Sequence, residues 1–570
     1  MNEGVKVKYG DIAPEAKENF TYTATNSEPF VNMAQFQQYN LDFPNYGNPC
    51  DYGSVLLNNQ SVPFPKYPES SNMGYWSNII SDENGDFAND IVFTFTSSGQ
   101  YSSQGFTITF DTYNNIYCTD LSITWYRNNQ QIATESFQPD SAFYFCQKNV
   151  ENYDKIVMTF KKINMPYNRL KIRTIDFGYG AYFYGDELKN VSCIHEINPI
   201  SAELPINTID FTLRSKGSFD YSFQNKQPLE IYFNGKLQDV SFVNKSQRTS
   251  KTTWKIQSED YIGQLSKLAF VGGMYENQNA KELLIKIFTQ AKIPYEISDS
   301  LATEKITGLI PMSTCREAIR QICFAIGAIC TTAYSDKVKI IKLNNEVTQK
   351  VTLDRIRQGQ SFDESDRITA VNLTAHSYIK STETVELYKA ADSGIGDEIL
   401  VQFSEPIYDL NISNGEILKN ADNTPKSSAT YAIIKANANC VLTGKKYTDT
   451  TTIYTKRNPI VSALDLENVS EITDATLVNN TNAQTILNRA YDFLTKRTTT
   501  KLKIYESFHY ATWGQTWGTF KWGGKEYDKA VKVGDIITTE TEYKGDITGR
   551  VLSERYNLNG NIIVKECEMV

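Results

Sequence analysis

At 570 residues the chain is too long for one hydrophobic core, and a net charge of −9 argues against sequence-independent nucleic-acid binding, which needs a basic face. Hydrophobic residues at 40% and charged residues at 22% are an ordinary globular balance, and the length sets an expectation of roughly four domains. Aromatic residues reach 12%, with 35 Tyr, which leans toward strands and broad contact surfaces.

The N-terminal stretch MNEGVKVKYGDIAPEAKENF has no apolar h-region, so no signal peptide is expected. The longest strongly apolar run, residues 322–330, is far below the ~18 residues that span a bilayer. Both point to a chain made and folded in a cytosol. Nine Cys are scattered without a CxxC, against a disulfide framework or a structural zinc site. Cys315, Cys323 and Cys330 cluster in an apolar helical stretch, where buried thiols act as small hydrophobes.

Residues 1–70 are rich in Asn, Gln, Pro, Tyr and Ser and weakly periodic, and are expected to form an extended or irregular arm. Residues 71–184 alternate apolar and polar residues at period two in five runs: 90–95, 105–110, 121–126, 155–160 and 170–175. Turn-like SSGQYSSQG and RNNQQ separate some of them, predicting an antiparallel β-sandwich. Trp125 and Tyr126 fall on opposite faces of a regular strand, so one points into the core.

Residues 185–265 alternate again, with Asn234-Gly235 as a hairpin turn, and predict a small closed or half-closed barrel. Residues 266–345 form an α+β unit. Asn279 and Thr314 each precede an acid at the third following position, the start of a capped helix, and Pro294 is expected to end the first helix. Residues 346–480 return to Thr- and Val-rich strands. Residues 481–570 open with a helix that Asn482 can cap, with Lys496 and Arg497 at its C-terminal end, and close with strands and an Asn559-Gly560 turn.

The search for chemistry is largely negative. His195, His376 and His509 lie in three separate strand-like contexts, and HExxH, GxSxG and the P-loop pattern are absent. A histidine in a strand, with no nucleophile pattern around it, reads as structural. The 66 acidic residues leave one enzymatic route open, two facing carboxylates of the glycosidase kind. Trp513, Trp517 and Trp522 cluster between glycines and are the candidate contacts for a glycan or partner, against the plainer reading of a hairpin with cross-strand aromatic packing. The residues point to no catalytic residue, no cofactor and no metal ligand.

Two stretches carry a resemblance. One is INPISAELPINTIDFTLR at 197–214 with PLEIYFNGK at 228–236; the other joins KVGDII at 532–537, GRVLS at 549–553 and LNGNII at 558–563. Together they resemble the hub proteins of phage tail baseplates and of phage-derived bacteriocins, over residues 185–570 in element order. The resemblance implies a mainly β chain with an α+β insert: an N-terminal antiparallel sandwich, then two hub-type β-barrels with small helices between them. The first barrel would span 185–265. The second would begin within 346–480, carrying a β insert, and finish in 481–570. It implies a homotrimeric adaptor of the virion tail joining the tail tube, or a distal tail protein, to a tip spike or needle. A tape measure protein is a further expected partner, DNA would meet the hub only in transit, and no residue is implied to be catalytic. Three chains would carry −27 around a channel, which would let DNA pass without sticking. The chain stops at Val570, where the second barrel should end, so the lytic or spike module is expected on a separate chain.

The segment 71–184 is also similar to the carbohydrate-binding-module-like sandwich before the hub in some tail proteins, through SQGFTITFD at 103–111, ITWYRNN at 123–129 and IDFG at 175–178. Fold by itself assigns no ligand. Two readings therefore stand beside the hub: an adhesin recognising host cell-wall glycans, and a wall hydrolase built on a carboxylate pair.

Overall fold

The computed structural model describes residues 5–12, 19–26, 75–111, 114–214, 223, 227–233, 236–390, 396, 398–420, 423–459, 466–508, 520–522, 525–527, 530–558 and 562–570. The fold is mainly β, with four α-helices among the described residues. It divides into two compact units, one of residues 8–182 and one of residues 1–7 with 183–570.

In the smaller unit the alternating runs become strands for the expected reason: every second side chain is buried. Ile91, Phe93 and Phe95 on one strand, and Leu121, Ile123 and Trp125 on another, all point into one core. Strands pair in two groups. In the first, Thr21–Ala24, the first half of Asp86–Phe110, the second half of Phe143–Ile163, Cys118–Arg127 and Gln130–Phe137 lie side by side. In the second, Tyr75–Trp76, Lys171–Tyr184, the end of Asp86–Phe110 and the start of Phe143–Ile163 do so. Rings from the two groups meet between them, Phe93 with Tyr75 at 4.7 Å and Trp125 with Phe106 at 6.0 Å. This is a two-layer sandwich. Trp125 is the inward member of its pair, while half-buried Tyr126 carries the Lys155 ammonium 5.2 Å above its ring. Asn128 and Asn129, at φ 49° and 62°, make the tight turn that RNNQQ predicted, with Arg127 opposite Gln130.

The SSGQYSSQG segment is not a turn. Strand Asp86–Phe110 runs through it, because its neighbour Phe143–Ile163 is equally long and pairs along it. Three register shifts between Thr96 and Gly105 bend the strand from one layer to the other. Gly105 makes the last of these bends possible: at φ 141° a Cβ would lie 2.0 Å from the Cys146 carbonyl oxygen.

In the larger unit nine strands form one continuous antiparallel ladder. In order they are Pro228–Phe233, Lys236–Ser250, Thr253–Glu259, Thr208–Arg214, Leu188–Glu196, Gly545–Asn557, Ile562–Met569, Thr498–Phe508 and Ile356–Glu364. Among the described residues, early and late strands therefore share a sheet through a single pairing, Leu188–Glu196 with Gly545–Asn557. The Asn234-Gly235 and Asn559-Gly560 turns lie outside the described residues, but Phe233 pairs with Lys236 as a tight hairpin requires.

The α+β segment has helices Ala280–Ala291 and Cys315–Ile326. Their caps are those the sequence pattern predicts: Asn279 accepts from the Glu282 N–H at 3.1 Å, and Thr314 from the Glu317 N–H at 3.2 Å. The first helix ends before Pro294, at Lys292 in the left-handed region, with the Ile293 N–H donating to Phe288 O at 3.1 Å. Cys315, Cys323 and Cys330 are buried free thiols, and burial pushes Cys323 up to about 12.

Residues 370–471 build a separate five-stranded sheet around the long strands Ala370–Lys389 and Tyr431–Arg457. Helix Ala483–Leu494 packs Ile486 and Leu487 against Val371 and Leu373 of that sheet. Asn482 does not cap this helix. Its side chain turns back, donating to Leu477 O at 3.0 Å and accepting from the Asn479 N–H at 2.8 Å.

Candidate functional site

The single pairing that joins the early and late strands carries a buried ionic cluster. His195 lies directly opposite Glu554 in the ladder. Both side chains leave the same face, and that face is closed from solvent, with His195 and Lys565 at 0% exposure and Glu554 at 1%. His195 Nδ1 is 2.7 Å from Glu554 Oε1, and Nε2 is 3.0 Å from Asp239 Oδ2. Lys565, on the next strand, donates to Glu554 Oε2 at 2.9 Å, to the Tyr334 hydroxyl at 2.5 Å and to Val531 O at 2.6 Å. The Tyr334 hydroxyl in turn donates to Glu554, and the Tyr334 N–H to Asp239 Oδ1 at 3.3 Å. Six segments, spread from residue 195 to residue 565, thus meet here.

The charges balance. An imidazole between two carboxylates has acceptors on both sides, so both ring nitrogens must carry hydrogen, and His195 is an imidazolium. Burial alone would lower its pKa. Asp239 and Glu554 outweigh burial and raise it to about 10. Burial would likewise raise Glu554, but Lys565 and His195 hold it down at about 2. Two cations then face two anions, the arrangement a dry interior requires of charged groups. Chemically the cluster is a fastener. His195 keeps no lone pair for a base, Lys565 is fully engaged as a donor, and the cluster's charged groups are sealed.

The opposite face of the same strands is wet. Glu196, Lys501, Lys503, Arg555, Glu566 and Glu568 line a groove of about 400 Å³ there. Cross-strand ion pairs, Lys503 with Glu566 at 3.1 Å and Lys501 with Glu568 at 3.6 Å, run along it.

A second histidine repeats the motif. His376 is 2.7 Å from Asp449 through Nδ1 and 2.8 Å from Asp474 through Nε2. Asp449 lies on the partner strand of the same sheet; Asp474 belongs to the connector after it. Thr476 of that connector exchanges bonds with the α+β segment, donating through Oγ1 to Gln321 Oε1 at 2.9 Å and accepting the Leu309 N–H at 3.3 Å. His376 thereby ties the long-stranded sheet to the connector.

In the sequence these histidines read as plain structural residues, and their carboxylate partners lie too far along the chain to be matched to them. A signal was present: His195 falls on the face of Val191 and Cys193, and Lys565 on that of Cys567 and Met569, so each breaks an apolar stripe. Of the aromatic candidates, Trp522 ends strand Phe520–Trp522 and pairs with Lys525 of Lys525–Tyr527, a short hairpin. Trp513, Trp517 and His509 lie outside the described residues. Among the described residues no three His, Cys, Asp or Glu side chains form a group able to hold a metal ion, and no helix is long and apolar enough to cross a membrane.

No protein-family model and no curated protein sequence matches the chain. Solved structures do. A tail protein from Neisseria meningitidis MC58 matches with a TM-score of 0.42 and 10% identity, over 68% of this chain and 93% of that one. The 43 kDa tail protein of prophage MuSo2 from Shewanella oneidensis matches with 0.41 and 10%, over 68% and 95%. The prophage tail protein gp18 from Listeria monocytogenes EGD-e matches with 0.36 and 10%, over 68% and 91%.

Proposed function

We propose that the chain is a structural hub of a phage-type tail: a homotrimeric, non-enzymatic adaptor between the tail tube and a tip spike, with early and late strands forming two barrel-like halves. The observation that carries this reading is the junction of Leu188–Glu196 with Gly545–Asn557. An adaptor that transmits load must hold its two halves rigidly, and here a continuous ladder is fastened by a sealed, charge-balanced cluster at the seam.

Mass photometry of the purified chain tests the reading. A species of three times the 64.7 kDa chain mass is expected, with threefold particles in electron micrographs. A protein that stays monomeric up to micromolar concentration, or that clears host cell walls in a zymogram, would overturn it.

A further inference from the structure

The five-stranded sheet leaves one edge open. Strand Tyr431–Arg457 is flanked by Ile407–Ile417 as far as Lys446, and the Tyr447 N–H reaches Pro406 O at 2.8 Å. From Thr448 to Arg457 it pairs with Ala370–Lys389 on one side, and among the described residues no strand pairs with its other side. This stretch is ten residues, TDTTTIYTKR, and five are Thr, so its strand propensity is high. Its register against residues 370–379 runs without a bulge, and it holds no Pro or Gly.

Sheet edges are ordinarily guarded by lysine, proline or a bulge. Here the lysine is turned away: Lys456 Nζ donates to Asn488 Oδ1 at 2.9 Å and lies 4.3 Å above the Tyr491 ring, both on helix Ala483–Leu494. On the opposite face Ile453 is 66% exposed.

The backbone groups that face the open edge can be named. The His376 N–H donates to Val478 O at 2.8 Å, and Asn372 O accepts the Ile472 N–H at 3.0 Å, so both residues aim their polar groups away from Tyr431–Arg457. Opposite residues of an antiparallel ladder aim alike. Thr451 and Thr455, opposite His376 and Asn372, therefore aim N–H and C=O at the open edge. By period two, Asp449, Ile453 and Arg457 do so as well, and the five side chains share one face.

These five residues complement themselves about Ile453. When a second copy lies antiparallel with Ile453 on the twofold axis, Asp449 meets Arg457, Thr451 meets Thr455, and Ile453 meets its own copy. Each pair sets outward backbone groups against outward ones, as a hydrogen-bonded pair requires. No other register places this acid opposite this base. Asp449 touches His376 through Oδ2, and its Oδ1 can take the exposed Arg457 guanidinium of the second copy. Opposite charges and paired apolar side chains across a ladder are both favourable.

We propose that residues 448–457 form an intermolecular antiparallel sheet with the same residues of a second copy of this chain. The inference goes beyond the hub reading and does not rest on it, because doubling is read against the base species, whatever its subunit number. One strand pair buries less than a standard interface, so doubling belongs to micromolar concentrations.

Sedimentation velocity of the full chain from about 1 to 100 µM tests the proposal. A species of twice the base mass is expected to accumulate with concentration. Arg457→Asp, which sets acid against acid, and Ile453→Lys should each weaken doubling about ten-fold or more, with melting close to the parent because both side chains are exposed. Ile453→Cys under mild oxidation should cross-link two chains on a non-reducing gel, whereas Thr448→Cys, off the axis, should not. A base species other than a trimer that still doubles would sink the hub reading and support this one. Absence of doubling over that range, doubling undiminished in folded Arg457→Asp and Ile453→Lys proteins, or equal cross-linking from both cysteine variants would overturn the proposal.

Discussion

His195 and Glu554 lie 359 positions apart in the chain and 2.7 Å apart in the fold, as direct cross-strand partners. Their pairing closes the sheet between early and late strands, and Lys565 and Asp239 complete its charge balance.

Removing one charge from this cluster leaves another buried and unpaired, which typically destabilises by about 3–5 kcal/mol. Glu554→Gln and Lys565→Met are each expected to lower the stability of the larger unit by that order. Urea unfolding followed by Trp254 fluorescence checks this. A loss below ~1 kcal/mol for both would show that the cluster does not fasten the seam.

The same cluster fixes a pH window. His195 is raised from 6.5 to about 10, so its contribution is full below 6.5 and is lost as pH rises through 10. Glu554 is lowered from 4.5 to about 2, so its contribution is full above 4.5 and is lost as pH falls through 2. For these two groups stability is greatest between pH 4.5 and 6.5. Thermal melts from pH 4 to 10 should show the alkaline decline, and His195→Gln should flatten it.

His376 is held above its ordinary range, because Asp474 and Asp449 outweigh the lowering effect of burial. Its contribution is present below 6.5 and lost at higher pH. Asp474→Asn removes the charge that ties the connector to the sheet, and charge-assisted bonds of this kind contribute about 1.5–3 kcal/mol, less where partly exposed. Protection against hydrogen exchange across residues 472–480, relative to the intrinsic rate, should fall in the variant, and in the parent as pH rises past the ordinary histidine range. Unchanged protection in both would dismiss the tie.

Gly105→Ala places a methyl carbon 2.0 Å from a backbone oxygen at a φ that alanine avoids. A loss of at least ~2 kcal/mol in the sandwich is expected from backbone displacement. Near-ultraviolet circular dichroism of the buried Trp125 environment reports it, and Gly99→Ala, on the same strand without a positive φ, serves as the milder control.

The sequence by itself determined the local order of this protein. Period-two alternation located the strands, Asn279 and Thr314 marked two helix starts, and Asn128-Asn129 marked a tight turn. Each depends on neighbours within a few residues, where spacing maps directly onto geometry. Tertiary structure decided the rest. Alternation says which face of a strand is buried but not which strand lies beside it, because the ladder is made of identical backbone groups. SSGQYSSQG therefore became strand beside an equally long neighbour, and Asn482 turned from its helix toward residues 477–479. His195 and Lys565 stood out only as polar residues on apolar faces. Their partners, Asp239, Glu554 and Tyr334, became legible once distant strands were placed side by side, since a buried charge is satisfied in space and not in sequence.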